Sequence, residues 1–212
     1  MKKFLFVCGG TGGHIFPAVA IAESLKKMGV EDIVFAGRKD SMEERLVSKN
    51  WPYEFITAVP LHRGPFLKNL TLPFNLSKSL VRAKSVIKKV KPDVVVATGG
   101  YVSLPIVLAA GSLGLPVYLQ EQNAVAGIAN KVQCFAASHL FEVYRHLQES
   151  SCLKHRVCSN RFCNTRNALH AEHVGICAFV NATAVAERLV HRLEEKTLAR
   201  HLAVFHRQAE EP

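Results

Sequence analysis

The residues able to do chemistry fall into three short stretches, each directly after an apolar run. The first is Gly9-Gly10-Thr11-Gly12-Gly13-His14. Four glycines let the backbone turn tightly and bring its N–H groups close to a phosphate without obstruction by Cβ atoms. A helix starting after the loop adds the partial positive charge of its N-terminus. A purely structural turn needs one or two glycines, so four of them with Thr11 and His14 point to a ligand. The loop is not a Walker A motif, because no Gly-Lys-Ser/Thr follows. It is not the G-x-G-x-x-G fingerprint either, because counting from Gly10 puts Ile15 in the last position. His14 is either a helix-start residue or a proton acceptor at the mouth of a strand.

The second stretch, Thr98-Gly99-Gly100-Tyr101-Val102-Ser103, also leads from strand to helix. It reads equally as an ordinary turn or as a second ligand loop. The third is Gln120-Glu121-Gln122-Asn123-Ala124-Val125-Ala126-Gly127, where three consecutive hydrogen-bonding side chains stand where a helix would normally open on apolar residues. Asn123 is either a helix N-cap or a ligand contact. Cys152, Cys158, Cys163, His170, His173 and Cys177 invite a zinc reading, but no Cys-x2-Cys pair occurs among them, and no metal site is expected.

The elements that must position these loops follow a regular plan. Lys3–Cys8, Asp32–Ala36, Tyr53–Thr57, Asp93–Thr98 and Pro116–Gln120 read as strands. Ala18–Met28, Ser41–Lys49, Leu76–Val90 and Ser103–Ser112 read as helices. Strands alternating with helices predict a parallel, Rossmann-like α/β sheet covered on both faces, with ligands bound at the carboxyl ends of the strands. The uncharged run from Val94 to Gln120 is long enough to cross a bilayer, but Gly99, Gly100, Pro105, Gly111, Gly114 and Pro116 divide it into buried strand, helix and strand.

Beyond Gln133 the plan is expected to be lost. Of 13 glycines only Gly175 lies there, of nine prolines only Pro212, whereas five of the six cysteines and eight of the ten histidines do. Residues 1–132 are therefore read as one domain. Residues 133–212 are read as an irregular or helical tail, poorly ordered and without a recognisable domain, such as an aberrant continuation of a truncated gene. Ala182–Ala209 is its one candidate helix, with Val185, Leu189, Leu193, Leu198 and Val204 as apolar positions.

A net charge of +10 favours an anionic partner: nucleic acid, an anionic membrane surface or a phosphorylated substrate. The apolar run after Lys3 is too short for a secretory signal, which predicts a cytoplasmic protein. Phe66–Leu76 is rich in Phe and Leu and flanked by Lys68, Lys78, Arg82 and Lys84. It is either an interfacial membrane contact or a loop packed over the sheet. A dinucleotide-binding module would require an acid at the end of the second strand, where only Asp40 is offered, late and beside cations.

Together, GGTGGHIFPAVAIAESL, KPDVVVATGGYVSLP and EQNAVAGIANK resemble the MurG family of glycosyltransferases, in order and spacing, over about residues 2–132. The resemblance implies the N-terminal half of a GT-B fold and an inverting transfer of N-acetylglucosamine from UDP-N-acetylglucosamine. The acceptor it implies is the C4 hydroxyl of undecaprenyl-diphospho-N-acetylmuramoyl-pentapeptide, met peripherally at the cytoplasmic face of the bacterial inner membrane. It further implies donor contacts at Thr11, Gly12, Gly13 and Asn123, and acceptor diphosphate binding by the glycine loops, including Gly99, Gly100 and Tyr101. His14 is the first choice for the general base and Glu121 the second. Neither cofactor nor metal nor nucleic acid is implied, since helix ends and loops stabilise a leaving diphosphate in such a scaffold. The family's donor-side glycine motifs are not recognisable in 133–212. The alternative is therefore a non-catalytic acceptor-binding subunit completed by a separate donor-domain partner.

Overall fold

The computed structural model describes residues 2–58, 72–121, 128–133, 135–137, 139–142, 157–159 and 182–191. The sheet consists of β1 (Phe4–Val7), β2 (Ile33–Gly37), β3 (Tyr53–Phe55), β4 (Val94–Ala97), β5 (Val117–Glu121), β6 (His139–Glu142) and β7 (Val157–Ser159). Their spatial order is β3-β2-β1-β4-β5-β6-β7, and each neighbouring pair is parallel. The helices are α1 (Gly12–Lys27), α2 (Met42–Val47), α3 (Leu72–Val90), α4 (Leu104–Ser112), α5 (Ile128–Gln133) and α6 (182–191).

Uninterrupted apolar runs such as Phe4-Leu5-Phe6-Val7 and Val94-Val95-Val96-Ala97 suit strands covered on both faces, and every residue in these two is buried. Alternation then sorts them. Phe4, Phe6, Ile33, Phe35, Val94 and Val96 join α1 and α6 on one face, and the Phe6 and Phe35 rings stack at 5.1 Å. Leu5, Val7, Val95, Ala97, Val117 and Leu119 join α3 and α4 on the other. The inner stripe of α3 is Ser79, Ala83, Val86, Ile87 and Val90, at helical spacing, while Lys78, Arg82, Lys84, Lys88 and Lys89 are exposed.

Two helices begin earlier than their sequence suggests. The first turn of α1 absorbs Gly12, Gly13 and His14, so half of the first glycine loop is helical; Pro17 inside it removes only the N–H that the Gly13 carbonyl would take. Likewise α3 starts at Leu72, and Pro73 falls in the first turn, where an N–H has no intrahelical partner anyway. Ser41, read as helical, is the N-cap of α2 and accepts the Glu44 N–H at 3.2 Å.

The expectation that the plan ends at Gln133 is corrected. β6 pairs with β5 and β7 with β6, continuing the parallel sheet, and α6 buries Ala182, Val185, Ala186 and Leu189 against the α1 face. These residues recur at i, i+3, i+4 and i+7, which gives even a compositionally odd tail an apolar face to bury. Of the tail's candidate zinc ligands, Cys158 lies in β7, and Cys152, Cys163, His170, His173 and Cys177 lie outside the described residues. So do positions 192–209 of the expected helix and residues 66–71 of the Phe- and Leu-rich segment.

The order in which strands are added reverses between the parallel β1 and β4, since β2 and β3 lie on one side and β5 to β7 on the other. A crevice opens at the carboxyl ends of such a pair, and both of the first two glycine loops leave from there.

Candidate active site

The two loops meet backbone to backbone. A Cβ on Gly100 would stand 2.4 Å from the Gly9 carbonyl oxygen and 3.2 Å from His14 Cδ2, and Gly100 has a φ of +83°. Only glycine satisfies both the conformation and the approach. The Tyr101 ring then lies against the first loop, its Cε1 3.5 Å from where a Cβ on Gly10 would be. Behind the second loop, Gln133 Nε2 donates to the Gly100 carbonyl at 3.1 Å. Ser103 Oγ lies 2.8 Å from that carbonyl and 2.9 Å from Gln133 Oε1, its single proton serving one at a time.

His14 is locked to the second loop's strand by a reciprocal pair. Its Nδ1 is 2.9 Å from the Thr98 carbonyl oxygen, and the Thr98 hydroxyl donates to the His14 carbonyl. A carbonyl oxygen only accepts, so Nδ1 carries the proton, and in the neutral ring Nε2 is the nitrogen able to take one up. The side chain is half-buried, at the rim of the crevice. Thr11 and Gly13 are exposed beside it. Thr11 is the N-cap of α1 without using its side chain as a cap, and no acid occupies the first turn. The positive end of a 16-residue helix is thus left facing the loop.

Glu121 is placed differently. It is the last residue of β5 rather than the start of a loop, and it is 1% exposed. Asn130 Nδ2 donates to its Oε2 at 2.7 Å, and the same Asn130 packs against Gly99. The structure therefore groups Thr11, Gly12, Gly13, His14, Gly100 and Tyr101 around one mouth. Gly99 and Glu121 sit behind it, joined through Asn130. Asn123 lies outside the described residues.

Sequence reasoning missed a buried acid under the first loop. Glu43, in the first turn of α2, accepts the N–H of Gly10 (3.4 Å) and both the main-chain N–H and the Nε–H of Arg38 (3.4 and 3.2 Å). Its only advance signal is redundancy: Glu43 and Glu44 follow the Ser41 cap, and Glu44 alone serves the helix start, binding the Asp40 N–H through its side chain. Asp40 itself is exposed, with a φ of +55°. Burial, and then the nearby Glu43 charge, push the Cys8 thiol well above the usual range. Tyr53, whose hydroxyl donates to the Arg38 carbonyl, is raised chiefly by burial, with a smaller opposing effect from Ser41.

A second surface lies on α3. Phe74 and Val81 are 64% and 71% exposed, Lys78 Nζ sits 4.3 Å over the Phe74 ring, and Ser77, Arg82 and Ser85 complete a shallow groove of about 480 Å³. Among the described residues no helix is long and apolar enough to cross a membrane, and no group of His, Cys, Asp and Glu suits a metal ion.

The glycosyltransferase family 28 N-terminal domain model matches residues 4–141. A UDP-N-acetylglucosamine--N-acetylmuramyl-(pentapeptide) pyrophosphoryl-undecaprenol N-acetylglucosamine transferase of Haemophilus influenzae (strain PittEE) is 44% identical over 145 residues, 68% of this chain and 41% of that protein. The protein of the same name from Mannheimia succiniciproducens is 49% identical over 131 residues, 61% and 36% respectively. The crystal structure of Acinetobacter baumannii MurG superposes with a TM-score of 0.63 at 33% identity, covering 76% of this chain and 46% of that one. A putative UDP-N-acetylglucosamine 2-epimerase from Listeria monocytogenes shares the fold at a TM-score of 0.51 and 14% identity. The chain spans about two fifths of the length of the curated relatives it matches.

Proposed function

The chain belongs to glycosyltransferase family 28 through its N-terminal domain and has the Rossmann-like fold of the N-terminal half of a GT-B glycosyltransferase; from that premise we propose that it is the acceptor-side half of a peptidoglycan N-acetylglucosaminyltransferase. The donor is UDP-N-acetylglucosamine, the acceptor undecaprenyl-diphospho-N-acetylmuramoyl-pentapeptide, and the anomeric centre inverts. One observation carries the reading. The first two glycine loops close on each other at the switch point of the sheet and hold His14 at their rim, with Nδ1 bonded to Thr98. His14 Nε2 takes the proton from the acceptor hydroxyl as that oxygen attacks the anomeric carbon, and the uridine diphosphate leaves with the bonding pair. Glu121 is less suited, being buried and already bonded to Asn130. Thr11, Gly12 and Gly13 present N–H groups to phosphate oxygens, Gly99, Gly100 and Tyr101 line the acceptor side, and Asn123 contacts the donor.

The site lies within residues 1–132, while the described residues of 133–212 add β6, β7 and α6 to the same sheet and core. The α3 groove rests on the anionic cytoplasmic face of the inner membrane, with Phe74 and Val81 in the interface and Lys78 and Arg82 near headgroups. A second reading, a binding subunit completed by a separate donor-domain partner, is favoured by exposed Ile128, Val132 and Phe135 along and just beyond α5.

Transfer of radiolabelled N-acetylglucosamine to a short-chain lipid-linked acceptor tests both, with and without an added donor domain. Activity in either arm that falls by about 10²–10⁴-fold in His14→Ala supports the proposal. Activity only with the added domain selects the second reading. No transfer and no acceptor binding in either arm contradicts both.

A further inference from the structure

Arg38 and Glu43 belong to none of the motifs that mark the site, yet they build one wall of it. Arg38 follows the last residue of β2, at the same edge of the sheet as Gly10 and Tyr101. The Glu43 carboxylate fits beneath because Gly9 and Gly37 lack side chains: a Cβ on either would stand 2.8 Å from Glu43. A carboxylate buried this completely is costly unless paired and hydrogen-bonded, and Arg38 supplies the pairing cation. The guanidinium turns its Nε edge to Glu43 at 3.2 Å, and its Cζ stands over the Tyr101 ring, 5.2 Å from the centroid. Its two terminal amino groups make no hydrogen bond among the described residues, and the side chain is 35% exposed. An arginine tied through Nε to a buried acid and seated over an aromatic ring, with both amino groups open, matches the fork geometry by which phosphate oxygens are held.

We propose that Arg38 contacts the phosphates of a diphosphate ester bound at the first two glycine loops, and that Glu43 is the positioning residue that aims it. The inference rests on the acceptor-site reading above and adds a cation to it. Backbone amides and a helix end stabilise an anion without supplying a full charge, and Arg38 supplies one at the mouth they form. Diphosphate is common to the lipid-linked acceptor and the nucleotide-sugar donor, so the source is left to the experiment.

Isothermal titration of the full chain with farnesyl diphosphate, and separately with uridine diphosphate, provides the test. Arg38→Ala is expected to weaken the diphosphate that the loops hold by about tenfold, and Arg38→Lys by about threefold. Loss confined to farnesyl diphosphate assigns the acceptor, and loss confined to uridine diphosphate assigns the donor. Arg38→Ala leaves Glu43 buried without its cation, so the double variant Arg38→Ala/Glu43→Gln, with no buried charge, decides the matter if the single variant does not fold. Glu43→Gln alone is expected to cost about threefold in the wild-type background and nothing further once Arg38 is alanine, because it acts through Arg38. An additive loss overturns the positioning role. Wild-type affinity for both diphosphates in folded Arg38→Ala or the double variant overturns the contact and leaves the acceptor-site reading standing. A wild-type chain that binds neither diphosphate overturns that reading and this proposal together.

Discussion

The mouth between the first two glycine loops and the outward face of α3 are built in opposite ways. At the mouth, backbone touches backbone, a histidine is bonded in both directions to Thr98, and a buried acid ties down Gly10 and Arg38. On α3, Phe74 and Val81 stand in solvent beside Lys78 and Arg82, while the opposite stripe of the same helix does the packing. A region whose geometry is over-determined can pre-organise donors for a small anion. A region held only from behind can meet a soft, extended surface without folding depending on it. The difference predicts that substitutions at the mouth damage fold and function together, and that substitutions on α3 separate them.

Gly100→Ala breaks the comparison at its most rigid point. The added methyl meets the Gly9 carbonyl and the backbone is held at positive φ, so a loss of about 3 kcal/mol in urea unfolding is expected, together with loss of acceptor binding. Stability within about 0.5 kcal/mol of wild type would show that the loops do not meet as described.

Phe74→Asp and Val81→Asp probe the other region. Each is expected to weaken sedimentation with anionic phospholipid vesicles by about tenfold while moving stability by less than about 0.5 kcal/mol. Raising the salt should weaken wild-type binding further through Lys78 and Arg82. Vesicle binding that is insensitive to both changes would remove α3 from the membrane account.

The smallest effect lies under the mouth. The thiol of Cys8 is raised by burial, so above its ordinary value of 9.0 the unfolded chain releases that proton while the folded chain keeps it. Stability is fully present below that pH and falls as pH climbs beyond it. Cys8→Ala should flatten the fall, as read from urea midpoints between pH 8 and 10.5. An unchanged slope would assign the fall elsewhere, Tyr53 first, since its hydroxyl is raised in the same direction.

Much of this was legible in the sequence, for physical reasons. β1 and β4 are apolar runs ended by glycine, and β5 is one opened by Pro116, a pattern that only doubly covered strands show. β6 and β7 are 4 and 3 residues long, in a stretch with neither glycine nor proline to bound them, so their pairing follows from β5 and not from local pattern. The first glycine loop announced itself by composition, and His14 by its place in that loop. Glu43 did not, because an acid in the first turn of a helix has a sufficient local explanation in the helix dipole. Its burial is decided by Gly9 and Gly37, residues 34 and 6 positions away. Glu121 shows the converse. Its neighbours in sequence suggested an open polar loop, whereas its strand carries it into the interior beside Asn130.

On the proposed function, this chain holds an acceptor diphosphate between its first two glycine loops. The most direct measurement titrates a short-chain prenyl-diphospho-N-acetylmuramoyl-pentapeptide into the wild-type chain and into Thr11→Val, a surface change that leaves the loop backbone in place. Saturable binding by the wild-type chain is expected, weakened by competing farnesyl diphosphate and retained within a few-fold in Thr11→Val, because backbone amides and not the hydroxyl would hold the phosphates. A folded wild-type chain that shows no saturable binding, or binding indifferent to the competing diphosphate, would contradict it.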